Sequence, residues 1–269
     1  MTRALWPALA TSLALLAGAA GCGDDEGGAG ARGDVNDAGA DRSARRGRLQ
    51  ARPGAGGHES EAAGVRELSL PGGAEGLLQV PDGHSPARPA PLVVLLHGAG
   101  SDARGGLAPL REMADEAGLM LLAPKSRGPT WDVIRAGFGP DVASIDALLE
   151  HVFERFAVER SRIALGGFSD GASYALSLGL PNGDLFTHLI AFSPGFMTPA
   201  ARRGRPSIYV SHGVEDAVLP IENCSRQIVP DLRRGRYDVR YREFQGGHTV
   251  PRSIASAAVT WLRRPDDAG

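Results

Sequence analysis

The run Leu92-Val93-Val94-Leu95-Leu96 carries no polar residue at any position. A strand with one face in water alternates polar and apolar side chains, so a strand without alternation must be covered on both faces. A sheet lying between two layers of helices supplies that cover, and such sheets are built mostly of parallel strands. Further segments at 65–70, 76–80, 119–123, 162–166, 187–192, 207–211 and 238–243 read as its companion strands. The first two flank Pro71-Gly72-Gly73, which predicts a hairpin at the sheet edge. Helices are expected at 104–117, 141–156, 171–179, 221–233 and 251–263. In the second of these, apolar residues recur from Val142 to Phe156 at helical spacing, with Asp141 placed to cap the first turn and Pro251 suited to open the last helix. The predicted class is α/β, with a mostly parallel central sheet flanked by helices on both faces, in one domain over 65–269.

The N-terminal part obeys different rules. Residues 1–21 have Arg3, an apolar stretch from Ala4 to Ala20 and then small residues, the pattern of an export signal. The run Leu16-Ala17-Gly18-Ala19-Ala20-Gly21-Cys22 looks like a bacterial lipoprotein cleavage box, with Ala19 where Leu is commoner. It implies lipidation of Cys22 and a chain held in the cell envelope by acyl groups, each buried methylene contributing about 0.8 kcal/mol. Simple secretion, or release into the periplasm, is the alternative. Residues 22–64 are rich in Gly, Ala, Asp and Arg and lack aliphatic periodicity, so they are expected to form a disordered tether. Cys22 and Cys224 lie in such different contexts that no disulfide is expected, and Cys224 reads as a small buried filler. With 29 Lys and Arg against 31 Asp and Glu, overall charge argues against a nucleic-acid partner. Nothing in the sequence specifies an oligomeric state.

The chemistry concentrates in three loops, each expected where a strand ends. Gly167-Phe168-Ser169-Asp170-Gly171 stands between the strand ending at Gly166 and a helical run, as a nucleophile elbow does. The glycines make room for a sharp turn that lifts the Ser169 hydroxyl above the sheet. A serine hydroxyl is a poor nucleophile until an imidazole takes its proton and a carboxylate orients that imidazole. Asp216, in His212-Gly213-Val214-Glu215-Asp216, and His248, in Gly246-Gly247-His248, supply both in the order Ser, Asp, His. Glu215 and Glu222 rank below Asp216, and His212 and His97 below His248, because these histidines precede glycines and read as turn formers. Negative charge on a substrate carbonyl would be met by the backbone amides of Asp170, at a helix start, and of Ala99, in His97-Gly98-Ala99-Gly100. Trp131, Phe138, Phe196 and Met197 lie on loops beside these elements and are candidates for apolar pocket walls, or for core fillers under the loops.

Leu96-His97-Gly98-Ala99-Gly100, Gly167-Phe168-Ser169-Asp170-Gly171, Gly213-Val214-Glu215-Asp216 and Gly247-His248 together resemble the phospholipase/carboxylesterase family of α/β-hydrolases, over about residues 75–264. Pro124-Lys125-Ser126-Arg127-Gly128-Pro129-Thr130-Trp131-Asp132 resembles a stretch that lies beside the active site in some bacterial members. The resemblance implies the α/β-hydrolase fold and a serine esterase that needs neither metal nor cofactor, acting on small-molecule carboxylic esters or thioesters. Many members carry Gln after the nucleophile where this chain has Asp170. An acidic group there is expected to disfavour anionic substrates, so phospholipase activity does not carry over. Two other functions fit the same residues: a polyester depolymerase or peptidase using the same triad, and a surface-tethered binding module with a vestigial site.

Overall fold

The computed structural model describes residues 43–54, 62–135 and 137–264. The export segment, Cys22 and most of the expected tether lie outside the described residues. Eight strands form a single sheet in the order β1-β2-β4-β3-β5-β6-β7-β8. They are β1 (Gly64–Leu70), β2 (Ala74–Val80), β3 (Ala90–Leu96), β4 (Met120–Pro124), β5 (Val158–Phe168), β6 (His188–Phe192), β7 (Ser207–Gly213) and β8 (Val239–Phe244). β1 and β2 form the expected edge hairpin and β2 pairs antiparallel with β4; every pairing from β4 through β8 is parallel.

β3 lies between β4 and β5, with every residue from Leu92 to Leu96 buried. Because alternate side chains point to opposite faces, the sheet has two separate cores. Leu92, Val94, Leu165 and Val210 face one core, covered by α4 (Pro140–Arg155), α5 (Asp170–Gly179) and α6 (Ser225–Arg234). Val93, Leu95, Ala164 and Tyr209 face the other, covered by α1 (Ala103–Leu107), α2 (Arg111–Ala117) and α7 (Arg252–Leu262). A further short helix, α3, spans Asp132–Arg135.

Several boundaries differ from expectation. The helix anticipated at 104–117 is two helices separated around Pro109, and its end is set by Gly118 in the left-handed region at φ 65°. Pro140, not Asp141, opens α4. The Asp141 carboxylate instead turns back to accept hydrogen bonds from the amides of Arg127 and Asp132, at 2.7 and 2.8 Å. Burial pushes the pKa of Asp141 up, against the pull of those amides. Pro251 is the residue before α7 and not its first.

The tether expectation does not hold for residues 43–54. They form a strap against α4 and the turn after α5, with Leu49 fully buried and Ala44 and Ala51 in the same core. The strap has no periodicity because its backbone is held by side chains from elsewhere. Leu49 N donates to Asn182 Oδ1 at 3.0 Å, and Asn182 Nδ2 returns a bond to Gly47 O at 2.7 Å. The amides of Gln50 and Ala51 donate to Asp146, each at 2.8 Å. Arg48 and Arg52 both reach Asp184.

Candidate active site

The nucleophile elbow is visible in the backbone. Ser169 has φ 57° and ψ −120°, a conformation a residue with a side chain adopts only when its surroundings impose it. A Cβ on Gly171 would fall 2.1 Å from Leu96 O, and one on Gly167 would fall 2.5 Å from the Gly171 carbonyl carbon. Glycine on both sides therefore lets the turn press against the end of β3.

Ser169 follows the last residue of β5, while Asp216 and His248 follow β7 and β8, so all three gather at the carboxyl ends of parallel strands. His248 Nε2 lies 2.9 Å from Ser169 Oγ, and His248 Nδ1 lies 2.6 Å from Asp216 Oδ2. The His248 ring rests against Phe168, with centroids 4.6 Å apart. Gly213 makes this approach possible, since a Cβ there would meet Gly246 O at 2.3 Å and Gly247 O at 2.4 Å. The amide of Glu215 then donates to Gly246 O at 3.0 Å and ties the two loops together.

The Asp216 side chain is fully buried, whereas Glu215 points to solvent and Glu222 pairs with Arg226. Burial alone would raise the pKa of Asp216. The Leu219 amide, His248 and the Val218 amide outweigh it, and the carboxyl lies below its usual range. Those amides donate to Asp216 Oδ1 at 2.8 and 2.9 Å, leaving Oδ2 for His248.

His212 does more than form a turn. Its Nε2 is 2.8 Å from Leu219 O and so carries the proton, and the same atom lies 3.2 Å from Asp216 Oδ2. Its Nδ1 accepts from Ser225 Oγ at 2.7 Å. Burial pushes the pKa of this imidazole down, so at neutral pH it is an uncharged donor behind the carboxylate. The sequence held one clue, the position of His212 four residues before Asp216.

The loop after β3 touches the nucleophile. A Cβ on Gly98 would come within 3.5 Å of Ser169 Cβ. Gly100 N donates to Pro129 O at 2.7 Å and Ser101 N to Gly98 O at 3.2 Å, which fixes the chain on either side of Ala99. The first hydrogen bond of α5 runs from Ser173 N to Ser169 O, so the Asp170 amide precedes it at the helix start. His97 lies under this loop, accepting from Ser126 N through Nε2 at 3.1 Å, and burial lowers the pKa of its ring. Its Nδ1 lies 2.8 Å from Gly98 O, so the ring bridges the two loops.

The pocket candidates separate into two groups. Trp131 is wholly buried: its indole donates to His97 O at 2.8 Å and stacks on Tyr174, so it supports the loop from beneath and lines no pocket. Phe138 is half-buried between the Tyr174 ring and the strap at Gly47. Phe196 and Met197 are also half-buried, on a loop held beside the first turns of α5. There Gly195 N donates to Ser173 Oγ at 2.9 Å and Thr198 N to Ser177 Oγ at 2.9 Å. Thr130 was not singled out from sequence, yet its hydroxyl donates to Asp170 Oδ2 at 2.7 Å and directs that carboxylate toward the 126–131 loop.

Residues 126–251 match the phospholipase/carboxylesterase family model. The chain is similar to esterase PE8, at 25% identity and TM-score 0.56, covering 76% of this chain and 99% of that one. The fold is that of the α/β-hydrolases. The chain also resembles the ferulic acid esterase of the anaerobic fungus Anaeromyces mucronatus, at 17% identity and TM-score 0.56, covering 80% of this chain and 98% of that one; at that identity the likeness is one of fold. By sequence it is 27% identical over 178 residues to feruloyl esterase C of Emericella nidulans, covering 63% of this chain. The match spans 64% of that relative, less than two thirds of its length. Among the described residues no group of His, Cys, Asp and Glu could hold a metal ion, and no helix is long and apolar enough to cross a membrane.

Proposed function

We propose that the protein is a serine esterase that cleaves carboxylic esters through an acyl-enzyme on Ser169. The observation that carries this reading is the unbroken relay of 2.9 and 2.6 Å from Ser169 Oγ through His248 to Asp216. His248 Nε2 takes the hydroxyl proton as Oγ attacks the ester carbonyl, and Asp216 stabilises the imidazolium that results. The amides of Asp170 and Ala99 receive the carbonyl oxygen as it becomes negative. The imidazolium then protonates the departing alcohol. Water enters, gives its proton to the same nitrogen, and attacks the acyl-enzyme to release the acid and restore Ser169.

The feruloyl esterase names of its relatives make feruloyl and other aromatic acyl esters the first substrates to try, with Phe196 and Met197 as apolar walls. The acidic side chain of Asp170, next to the nucleophile and bonded to Thr130, favours neutral over anionic substrates. A serine-reactive fluorophosphonate tests the core of the proposal: it should label the wild-type chain and leave Ser169→Ala unlabelled. Equal labelling of the two would remove Ser169 from the chemistry.

The same reading includes export through residues 1–21 and acylation at Cys22. Radiolabelled palmitate fed to expressing cells should enter the wild-type chain and not Cys22→Ser, and label in both would refute anchoring at that residue.

A further inference from the structure

The two ends of the parallel strands carry opposite kinds of chemistry. The triad occupies the carboxyl ends. At the amino ends of β6, β7 and β8, about 20 Å away for strands of this length, three arginine-bearing segments come together. The strap 43–54 contains four arginines and no acid, and residues 202–205 and 233–236, which lead toward β7 and β8, contain three each. These are ten of the chain's 29 Lys and Arg.

The segments are contiguous. Arg48 binds Asp184 and the carbonyl of Pro181, in the turn that leads into β6. Gly183 bridges to Gly204, and Arg203 N donates to Leu180 O at 2.8 Å, which brings the 202–205 loop against the strap's docking site. Arg46, Arg48 and Arg203 line one shallow cavity with Ser43 and Gln50. Arg205 donates to Arg236 O at 3.0 Å, and Arg202 lies over the Tyr237 ring, joining the third segment to the second. Of the acids near this end, Asp184 is held by Arg48 and Arg52 and Asp231 by Arg202 and Arg234; Asp238 precedes β8, Asp146 accepts the amides of Gln50 and Ala51, and Glu150 and Glu154 border the far half of the strap beside Arg52. Among the described residues no carboxylate lies within ion-pair distance of Arg46, Arg203 or Arg236, and all three side chains are exposed. Because the whole chain has a formal net charge of −2, the remainder of the molecule is acidic.

We infer that this arginine-rich end is a docking surface for an anionic lipid bilayer, and that the active site therefore opens away from the membrane. Arginine pairs with lipid phosphates, and a cluster of such side chains adds attraction for each charge near the surface. The chain itself selects this partner. Cys22 is 21 residues before Ser43, a span of at most about 70 Å, and Ser43 lies within the arginine cluster. An acylated Cys22 thus delivers this end of the domain to the bilayer first. The choice of a bilayer and the orientation rest on the proposed anchor at Cys22; the arginine cluster stands without it.

The test uses residues 22–269 carrying Cys22→Ser, which contain every described residue and no acyl chain. Vesicles of equal parts phosphatidylglycerol and phosphatidylcholine should sediment this protein, and vesicles of phosphatidylcholine alone should not. Raising salt should release it. Replacing Arg46, Arg203 and Arg236 together by Glu should weaken sedimentation at least about tenfold, with hydrolysis of a soluble ester unchanged. No preference for the anionic vesicles, or full binding by the triple variant, overturns the inference, as does tighter binding to duplex DNA than to vesicles at equal phosphate concentration. Palmitate labelling of Cys22 reads the anchor separately, so a labelled chain that ignores phosphatidylglycerol refutes the docking surface while leaving the anchor standing.

Discussion

The two ends of the sheet are held by different forces. At the carboxyl ends, backbone meets backbone at contact distance, and the charged group, Asp216, is buried with its oxygens met by two amides and two imidazoles. At the amino ends, one buried leucine and a few side-chain acceptors hold a strap whose ion pairs are partly open to water. The first arrangement tolerates no added atom. The second tolerates much, because screened ion pairs contribute little and a detached strap can be resolvated.

The largest expected effect is chemical. Ser169→Ala should lower kcat on a short chromogenic ester by about 10⁴-fold or more, with the folded state retained by circular dichroism; substantial residual turnover would show that the relay is not the catalytic machinery. Next comes Gly171→Ala, whose new methyl would strike Leu96 O. It should cost about 3 kcal/mol in chemical denaturation and reduce activity with it, and a neutral result would mean that the elbow has slack.

The strap should respond more locally. Leu49→Ala should lose about 2 kcal/mol, read as faster hydrogen exchange at the amides of Leu49, Gln50 and Ala51 with little change in turnover. A matching loss of activity would make the two ends one cooperative unit. A smaller change is expected from His212→Phe, which removes the donor behind Asp216: kcat should fall about tenfold, roughly 1.4 kcal/mol of barrier, with KM nearly unchanged. His212→Gln, which keeps a donor, should recover part of the loss. Equal behaviour of the two variants would assign His212 to packing alone.

The smallest effect is that of acid. Arg48, placed first by its hydrogen bond, and Arg52 hold the Asp184 carboxyl well below the usual range. A depressed folded value means that its contribution to docking is complete above the ordinary carboxylate range and fades as pH falls through the lower, folded value. The strap amides should therefore exchange faster in strong acid than at neutral pH, beyond the intrinsic effect of pH on exchange. Asp184→Asn should weaken that dependence.

The same contrast explains what the sequence disclosed. Strands β3, β4 and β6 were legible because strands covered on both faces are nearly continuous apolar runs, and Leu92 to Leu96 needs no distant information to be recognised. The meeting of Ser169, Asp216 and His248 was legible because the turns that carry them demand glycine at fixed offsets. The strap was not, since Leu49 stands between polar neighbours and the strap's partners Asp146, Asn182 and Asp184 are 95 to 136 residues away in the chain. His212 escaped for a related reason: its role depends on Leu219 O and Ser225 Oγ, which meet only once β7 and α6 are in place. Trp131 stays open between pocket wall and core filler in the sequence because a large aromatic on a loop looks the same whether it faces a cleft or supports the loop from below.

The bond between Asn182 and the strap also sets where the gene can safely be cut. A recombinant version beginning at residue 64, where composition alone would draw the line, strips the cover from the Leu49 site and leaves the Asn182 amide and the Asp146 carboxylate without their backbone partners. Such a protein keeps Ser169, Asp216 and His248 together yet presents a fresh greasy notch to its neighbours. Purification yields and shelf life should favour versions that start ahead of Ser43.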